Sequence, residues 1–204
     1  MITRRMIIAA GVALAVTGRA SLSFGAAEPS ATLQSFYDAL LATMKDGDKL
    51  GFAGRRDKLT PVVRKSFDLP LMTRLIAGLQ WPNFSPADQK SLIDAFSDFS
   101  VATYASQFDD FSGEQFKVDA KTDPAPGNDI VVHTKLIPFN EKPVQLDYLL
   151  RANQGDWRII DVYLEGTVSQ LAARRSEFSS VLRQSGVGGL IAVLKEKTAQ
   201  LASS

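Results

Sequence analysis

The segment DWRIIDVYLEGTVSQLAARRSEF, residues 156–178, changes its hydrophobic period part-way along. Before Gly166, apolar and polar side chains alternate, and this period of two predicts a half-buried β-strand. After the glycine, apolar residues recur at the spacing of an amphipathic helix. A strand that leads through a glycine into such a helix is typical of an α+β domain, in which helices cover one face of a sheet.

The period of two also predicts three earlier strands, so the predicted sheet has four. The predicted strands cover 114–121, 128–139, 143–152 and 156–166. Short connections rich in Gly, Pro, Asn and Asp separate them, and such connections join antiparallel neighbours. The last two strands have predicted apolar faces, formed by Val144, Leu146, Tyr148 and Leu150 on one and by Ile160, Val162 and Leu164 on the other. The register stays open, because a slip of one residue exchanges the two faces of a strand.

Helical periodicity dominates the chain on both sides of the predicted sheet. The predicted helices cover 29–47, 52–67, 68–78 and 85–108 before it, and 167–184 and 187–202 after it. Ser30 and Ser85 are predicted N-caps, and Gly186 is the predicted stop between the last two helices. Pro61 either kinks the second helix or restarts it, because proline lacks an amide and suits a first helical turn.

These elements predict a single α+β domain over 28–204, a four-stranded antiparallel meander packed against N- and C-terminal helices. The 204 residues, 45% of them hydrophobic and 22% charged, suit one generous core. Periodicity leaves open whether the space between sheet and helices is filled by side chains or encloses an apolar cavity.

Residues 1–27 have the composition of a cleaved export signal. Two adjacent arginines precede an apolar run of about a dozen residues from Met6 to Thr17, and small residues follow. The run is too short to span a bilayer comfortably. Gly25 and Ala27 would be positions −3 and −1 of the cleavage site. The paired arginines fit a twin-arginine signal and a general secretory signal equally well, and both routes lead to the periplasm.

Charge argues against nucleic acid as a partner. The whole chain carries +1, but three of its 23 basic residues and none of its 22 acidic residues lie within 1–27. The rest therefore has 20 basic and 22 acidic side chains, a net charge of −2. A slightly acidic protein lacks the cationic surface that phosphate backbones require. The absence of cysteine excludes disulfides, thiol catalysis and cysteine-ligated metals.

Residues with catalytic potential are few, and no cofactor or metal site is predicted. His133, the only histidine, lies on the more polar face of its strand, which favours a solvated side chain over a catalyst. The sequence has no HExxH, GxSxG or phosphate-binding glycine motif. One enzymatic alternative remains, because cone-shaped α+β isomerases and dehydratases use a buried acid with a tyrosine. Tyr104, Tyr148 and Asp161 are the candidates for that role.

Two segments of the chain carry ordered sets of motif residues. In the later segment a predicted strand ends in Asp-Val, two residues and Glu-Gly, and leads into a helix with Ser and an Arg-Ser-Glu-Phe sequence; its motif residues are Asp161, Val162, Glu165, Gly166, Ser169, Arg175, Ser176, Glu177 and Phe178. The motif residues of the earlier segment are Gly78, Trp81, Gln89, Phe96, Phe99, Thr103, Tyr104 and Ala105. In this order the two sets resemble the MlaC or toluene-tolerance family of periplasmic lipid-binding proteins, whose members have Gln or Glu at the position of Glu177.

Two departures from the common family pattern resemble its hopanoid-associated branch, HpnM. One extra residue separates Gly166 from Ser169, and the helix reads SQLAARRSEF where typical members have asparagine and tyrosine before the arginine. The family implies an NTF2-like, MlaC-like fold around an apolar cavity. It also implies a periplasmic carrier that moves phospholipid between inner and outer membranes with an inner-membrane ABC transporter. The branch implies instead a hopanoid, which is a rigid pentacyclic lipid, and an RND-type transporter.

A lipid carrier fits a chain with much apolar surface and little reactive chemistry. Each buried methylene is worth about 0.8 kcal/mol, so two tails with about thirty methylenes cost about 25 kcal/mol to expose to water. The matched motifs nominate as cavity-lining residues Leu79, Trp81, Phe96, Phe99, Tyr104, Tyr148, Val162, Val168 and Phe178. For each of them, packing in a plain core is the alternative. A filled core would make the protein an adaptor or interaction module instead.

Basic residues cluster in the helical stretches GRRDK, VRK and ARR. Such clusters usually form a solvated face. The family motif matches only Arg175 among them, and the resemblance therefore nominates Arg175 as a docking residue for an anionic headgroup or a transporter partner.

Overall fold

The computed structural model describes residues 28–203. The predicted export signal and its cleavage site after Ala27 lie outside the described residues. The helices are α1 (Pro29–Met44), α2 (Gly47–Ser66), α3 (Leu69–Ala77), α4 (Pro86–Gln107) and α5 (Gln170–Ser203), with a 3₁₀ helix at Gly78–Asn83 between α3 and α4. The strands are β1 (Gln115–Ala125), β2 (Asp129–Ile137), β3 (Val144–Asn153), β4 (Asp156–Leu164) and β5 (Val168–Ser169).

The helix ends confirm some of the predicted signals and correct others. Ser85 caps α4 by accepting a hydrogen bond from the Asp88 amide at 3.1 Å, as predicted. Ser30 is not the cap of α1, because Pro29 already occupies the first turn and Glu28 precedes it. Pro61 neither ends nor restarts α2, whose backbone break falls at Gly51. The break in α5 falls at Gly186, where the predicted stop lies.

The sheet has five strands in the order β1-β2-β3-β4-β5, all paired antiparallel, so the prediction of four was wrong by one. The additional strand arises at the glycine of the opening segment. Glu165 and Gly166 both have positive φ, 53° and 67°, and the Thr167 amide donates to the Leu164 carbonyl. Two such residues form the turn of a tight hairpin, which folds β5 back onto β4 before α5 begins.

The register places the apolar residues of β2, β3 and β4 on one inner face. Tyr148 of β3 pairs with Val132 of β2 and with Val162 of β4. A bulge inserts one residue into β4, so that Leu150 pairs with Ile159. The prediction that Ile160 continues the face of Val162 was therefore wrong, because the bulge gives that position to Ile159.

The helices cover the inner face, and α1 contributes four large buried side chains to the core. Leu33, Phe36, Tyr37 and Leu40 of α1 are almost completely buried. The Tyr37 hydroxyl is 2.7 Å from the Thr134 hydroxyl, and Thr134 donates to the Leu146 carbonyl at 2.5 Å. Burial raises the pKa of Tyr37 to about 12, although the hydrogen bond with Thr134 opposes the rise. α1, α2, α3 and α5 all contact β4, which places that strand at the centre of the packing.

Candidate functional site

A cavity of about 270 Å³ lies between the inner face of β3 and β4 and the helices α3, α4 and α5. Most of its lining is apolar. The lining residues are Phe67, Leu69, Met72, Phe96, Phe99, Ser100, Thr103, Tyr104, Gln107, Phe108, Leu146, Tyr148, Asp161, Val162, Leu164, Gln170, Leu171 and Arg174. The space that periodicity could not assign is thus not filled by side chains.

Differences in exposure separate the floor of the cavity from its mouth. Phe67, Phe96 and Tyr148 are buried, so they form the floor. Leu164 is 40% exposed, and the side chain of Arg174 is 36% exposed. These two residues mark the mouth, which lies beside the β4–β5 hairpin at the start of α5.

One face of α4 forms the longest wall of the cavity. Phe96, Ser100, Thr103 and Gln107 follow one another at intervals of four, three and four residues, so they lie along one stripe of the helix. The hydroxyls of Ser100 and Thr103 donate to carbonyls one turn back, at 2.8 and 2.9 Å. These bonds satisfy the polar groups locally, and the stripe therefore presents little unpaired polarity to an apolar ligand.

Aromatic rings connect the cavity to the core. The ring of Tyr104 packs edge-on against Phe36, with centroids 5.2 Å apart, and stacks with Phe108 at 5.8 Å. Burial raises the pKa of Tyr104, and the neighbouring Tyr37 adds to the rise. Burial also raises the pKa of Tyr148 well above its usual value. Both phenols therefore stay neutral at physiological pH and cannot act there as phenolate bases.

Asp161 borders the cavity but is engaged in holding the start of α5. One of its carboxylate oxygens accepts from the Val162 amide at 2.7 Å and from the Leu171 amide at 3.0 Å. The other accepts from the Ser169 hydroxyl at 2.5 Å, and Ser169 in turn accepts from the Ala172 amide as the N-cap of the helix. These bonds give the matched Asp and Ser a structural role in joining the sheet to α5.

The structure brings five of the nine nominated residues together around the cavity: Phe96, Phe99, Tyr104, Tyr148 and Val162. The other four lie outside its lining. Leu79 is 93% exposed, because the 3₁₀ helix that begins at Gly78 directs it away from the core. Trp81 of the same helix packs against Phe84. Val168 is 52% exposed on β5. Phe178 is fully buried in the core, and its ring centroid lies 6.2 Å from that of Phe99.

Several lining residues were not nominated, although periodicity carried a signal for some of them. The α4 stripe extends from Phe96 to Ser100, Thr103 and Gln107 at helical spacing, and Leu146 and Leu164 share faces with Tyr148 and Val162. Phe67, at the end of α2, and Leu69 and Met72 of α3 reach the cavity through tertiary packing, which no local pattern reveals.

The two adjacent arginines of α5 have different surroundings. Arg174 lines the cavity, with its guanidinium carbon 5.0 Å from the centroid of the Phe99 ring. Arg175 is exposed and directs its guanidinium towards Gly78, where an added Cβ would lie 3.1 Å from the nearest arginine nitrogen. Gly78 also has a φ of 58°, so a side chain there would be both strained and crowded. The docking role of Arg175 stays a prediction.

His133 lies away from the cavity and is not simply solvated, which corrects the interpretation from sequence. Its Nε2 is 3.0 Å from the Asp123 carboxylate and its Nδ1 is 3.0 Å from that of Asp147. The hydrogen bond with Asp123 is the main cause that raises the pKa of His133; burial opposes it, and the interactions with Asp147 add to the rise. Within residues 28–203, no group of three or more acidic or histidine side chains is arranged to hold a metal ion. No helix in the same range is long and apolar enough to cross a bilayer.

The sequence and the fold match a known group of proteins. The family model for the MlaC protein matches residues 34–196. This chain belongs to the MlaC family. A similar solved structure is that of the phospholipid-binding protein from Ralstonia solanacearum in complex with a phospholipid. It is 27% identical to this chain, with a TM-score of 0.72, and the alignment covers 86% of this chain and 99% of that one. The resemblance to the HpnM branch stays a prediction.

Proposed function

We propose that this MlaC-family protein is a lipid carrier that holds lipid tails in the cavity between its sheet and its helices. The observation that carries the proposal is an apolar floor of buried aromatic and aliphatic side chains beneath an open mouth at Leu164 and Arg174. The phospholipid bound by the Ralstonia solanacearum relative supports it. Transfer of tails with about thirty methylenes from water into an apolar cavity is favourable by about 25 kcal/mol. This gain is the physical basis of lipid carriage.

The size of the cavity adds a requirement to this proposal. A volume of about 270 Å³ is near the lower end of the range for pockets that hold drug-sized ligands. A lipid with two tails is larger, so its entry has to widen the space between α5 and the sheet. The hinge for that movement is the junction at Gly166, between the β4–β5 hairpin and the capped start of α5. We expect a structure with bound lipid to show a larger cavity and a displaced first turn of α5.

The family resemblance and the predicted export signal support a site of action in the periplasm. There the carrier would shuttle a membrane lipid, either a phospholipid or a hopanoid, between the inner and outer membranes. The corresponding inner-membrane partner would be an ABC transporter for phospholipid or an RND-type transporter for hopanoid. Cell fractionation tests the location: processed protein in the periplasm is expected, and only unprocessed protein in the cytoplasm would contradict it. Replacing both paired arginines with lysine would block export by the twin-arginine route and leave the general secretory route intact.

A non-enzymatic role agrees best with the polar groups around the cavity. Asp161, the acid of the isomerase or dehydratase alternative, already accepts three hydrogen bonds, two of which hold the start of α5. The adaptor alternative requires a filled core, and the cavity is the feature that weighs against it.

Mass spectrometry of lipid extracted from the purified mature protein tests the proposal directly. We expect about one lipid molecule per protein chain, and loss of that lipid when the cavity is filled by a bulky side chain. A protein that carries no lipid after purification, and takes up none from detergent-solubilised phospholipid or hopanoid, would favour the adaptor. Bovine serum albumin and a boiled sample serve as the positive and negative controls for uptake.

A further inference from the structure

The side chain of Arg174 occupies the boundary between the apolar floor of the cavity and solvent. Its guanidinium lies over the face of the Phe99 ring, and the two residues belong to the same lining. A guanidinium held against an aromatic face retains its charge and keeps its planar edge of N–H groups directed outwards. Among the described residues that line the cavity, Arg174 is the only cation.

Most hydrogen-bond donors of Arg174 are unused. Arginine has five N–H donors, and within residues 28–203 one nitrogen of Arg174 is bonded, to the Glu177 carboxylate at 3.1 Å. Glu177 does not depend on this arginine alone, because Lys197 also pairs with it at 2.8 Å. Burial raises the pKa of Glu177, but the hydrogen bonds from Lys197 and Arg174 outweigh that effect and lower it. Glu177 therefore keeps a cationic partner when Arg174 turns its free donors to a ligand.

No other charged group at the cavity competes for this role. Asp161 is the only acid in the described lining, and its oxygens are occupied by the capping bonds of α5. The other polar side chains of the lining are neutral: Ser100, Thr103, Tyr104, Gln107, Tyr148 and Gln170. A ligand whose tails fill the floor would therefore find a single cation, Arg174, for its polar end.

We propose that Arg174 determines headgroup specificity by binding the phosphate of a lipid whose tails occupy the cavity. This inference rests on the proposed carrier function and extends it to the class of lipid. Guanidinium groups match the oxygens of a phosphate with paired N–H donors, and such charge-assisted bonds are stronger than neutral ones. A neutral lipid, polycyclic or acyl, would leave these donors without an anionic partner. The site thus favours phosphate-bearing lipids.

A competition between two lipids with identical tails tests this role. The delipidated full-length mature protein is offered equal amounts of dioleoyl phosphatidylglycerol and dioleoylglycerol, which lacks the phosphate, and the bound lipid is measured by mass spectrometry. The wild type is expected to retain the phosphatidylglycerol with about a tenfold preference. Arg174→Gln should reduce that preference to near one without reducing total lipid. Arg174→Lys, which keeps the charge but not the paired donors, should give an intermediate value and guards against a folding defect in the first variant.

Arg183→Gln is the matched control, because it removes the same charge from an exposed residue of α5 that does not line the cavity. It should keep the wild-type preference. Equal binding of both lipids by the wild type, an unchanged preference in both Arg174 variants, or an equal loss in Arg183→Gln would overturn the inference while leaving carriage intact. A wild type that binds neither lipid would overturn the carrier function as well. Inorganic phosphate alone should not compete at millimolar concentration, and strong competition by it would assign Arg174 to a free-phosphate site instead.

Discussion

Tyr37 and Tyr104 pack on the same phenylalanine, yet their hydroxyl groups have different surroundings. Phe36 lies 5.8 Å from the Tyr37 ring and 5.2 Å from the Tyr104 ring. The Tyr37 hydroxyl is paired with Thr134 beneath α1. The Tyr104 hydroxyl has no hydrogen-bond partner within residues 28–203, and its side chain lines the cavity.

The comparison teaches how one continuous aromatic layer serves two purposes. Beneath α1, the Tyr37 side chain is almost completely buried and its polar end is satisfied, as a stable core requires. Beside α4, the same kind of side chain faces space that a ligand can fill. We call the first region the α1 core and the second the cavity wall. The same kind of substitution should therefore affect stability and lipid binding differently in the two regions.

The largest expected change in stability follows from truncating Phe36 in the α1 core. Phe36 is completely buried and contacts three aromatic rings, so Phe36→Ala should lower the free energy of unfolding by about 3–5 kcal/mol. Phe96→Ala in the cavity wall should cost less, because one side of that ring already faces empty space. Urea unfolding of the lipid-free proteins measures both. Equal losses in the two variants would remove the distinction between core and wall.

The next test enlarges two valines that flank the same tyrosine. Val132 and Val162 pair with Tyr148 from opposite sides, but only Val162 lines the cavity. Val132→Trp should overpack the core and cost about 1–3 kcal/mol or more. Val162→Trp should occupy ligand volume, so bound lipid should fall while the thermal midpoint changes little.

Val168→Trp is the control for these two variants, because Val168 is half exposed on β5 and outside the described lining. It should alter neither midpoint nor lipid content. The thermal midpoint and the bound lipid are measured for all three variants, and together they distinguish packed core from cavity lining. Should Val162→Trp keep its full lipid content, Val162 would be assigned to plain packing.

Sequence periodicity predicts the sheet and most helix ends because those depend on local chemistry. The Ser85 cap and the Gly186 break are examples, as is the alternation that places Tyr148 and Val162 on the inner face. Only tertiary packing determines which inner-face residues meet other side chains and which meet space. Periodicity therefore identified apolar faces without separating Val132 from Val162.

Backbone geometry explains why some of the nominated residues lie outside the described lining of the cavity. The Glu165–Gly166 turn is a tight hairpin without the usual Asn-Gly or Asp-Gly signal, and it places Val168 on a short exposed strand. Gly78 ends α3 and directs Leu79 to solvent. On α5, a shift of one residue rotates a side chain by about 100°, which separates Arg174 in the cavity from Arg175 outside it.

A smaller effect should follow from removing the two tyrosine hydroxyls. Tyr37→Phe breaks the buried bond with Thr134 and should cost about 1 kcal/mol, the usual net value of such a bond. Tyr104→Phe breaks no hydrogen bond among the described residues and should leave the stability of the lipid-free protein unchanged. Denaturant unfolding of the two variants measures the difference. A loss of similar size in both would mean that the Tyr104 hydroxyl has a structural partner after all.

The smallest expected effect concerns His133 on the polar face of the sheet. Its contribution to stability should depend on pH, unlike the contributions of the α1 core and the cavity wall. His133 lies between the carboxylates of Asp123 and Asp147, and the hydrogen bond with Asp123 is the main reason that its pKa is raised. A histidine with a raised pKa stabilises the fold fully below its unfolded-state pKa of about 6.5, and this contribution is lost as the pH rises through the folded-state value. The wild type should therefore lose its advantage over His133→Gln between pH 5.5 and pH 8.5. The difference should be small, because His133 is partly exposed and solvent screens the pair.

Thermal midpoints of wild type and His133→Gln at the two pH values measure this difference, with Tyr37→Phe as a control whose loss of stability should not vary over this range. An advantage that grows with pH would show that His133 is neutral in the folded protein.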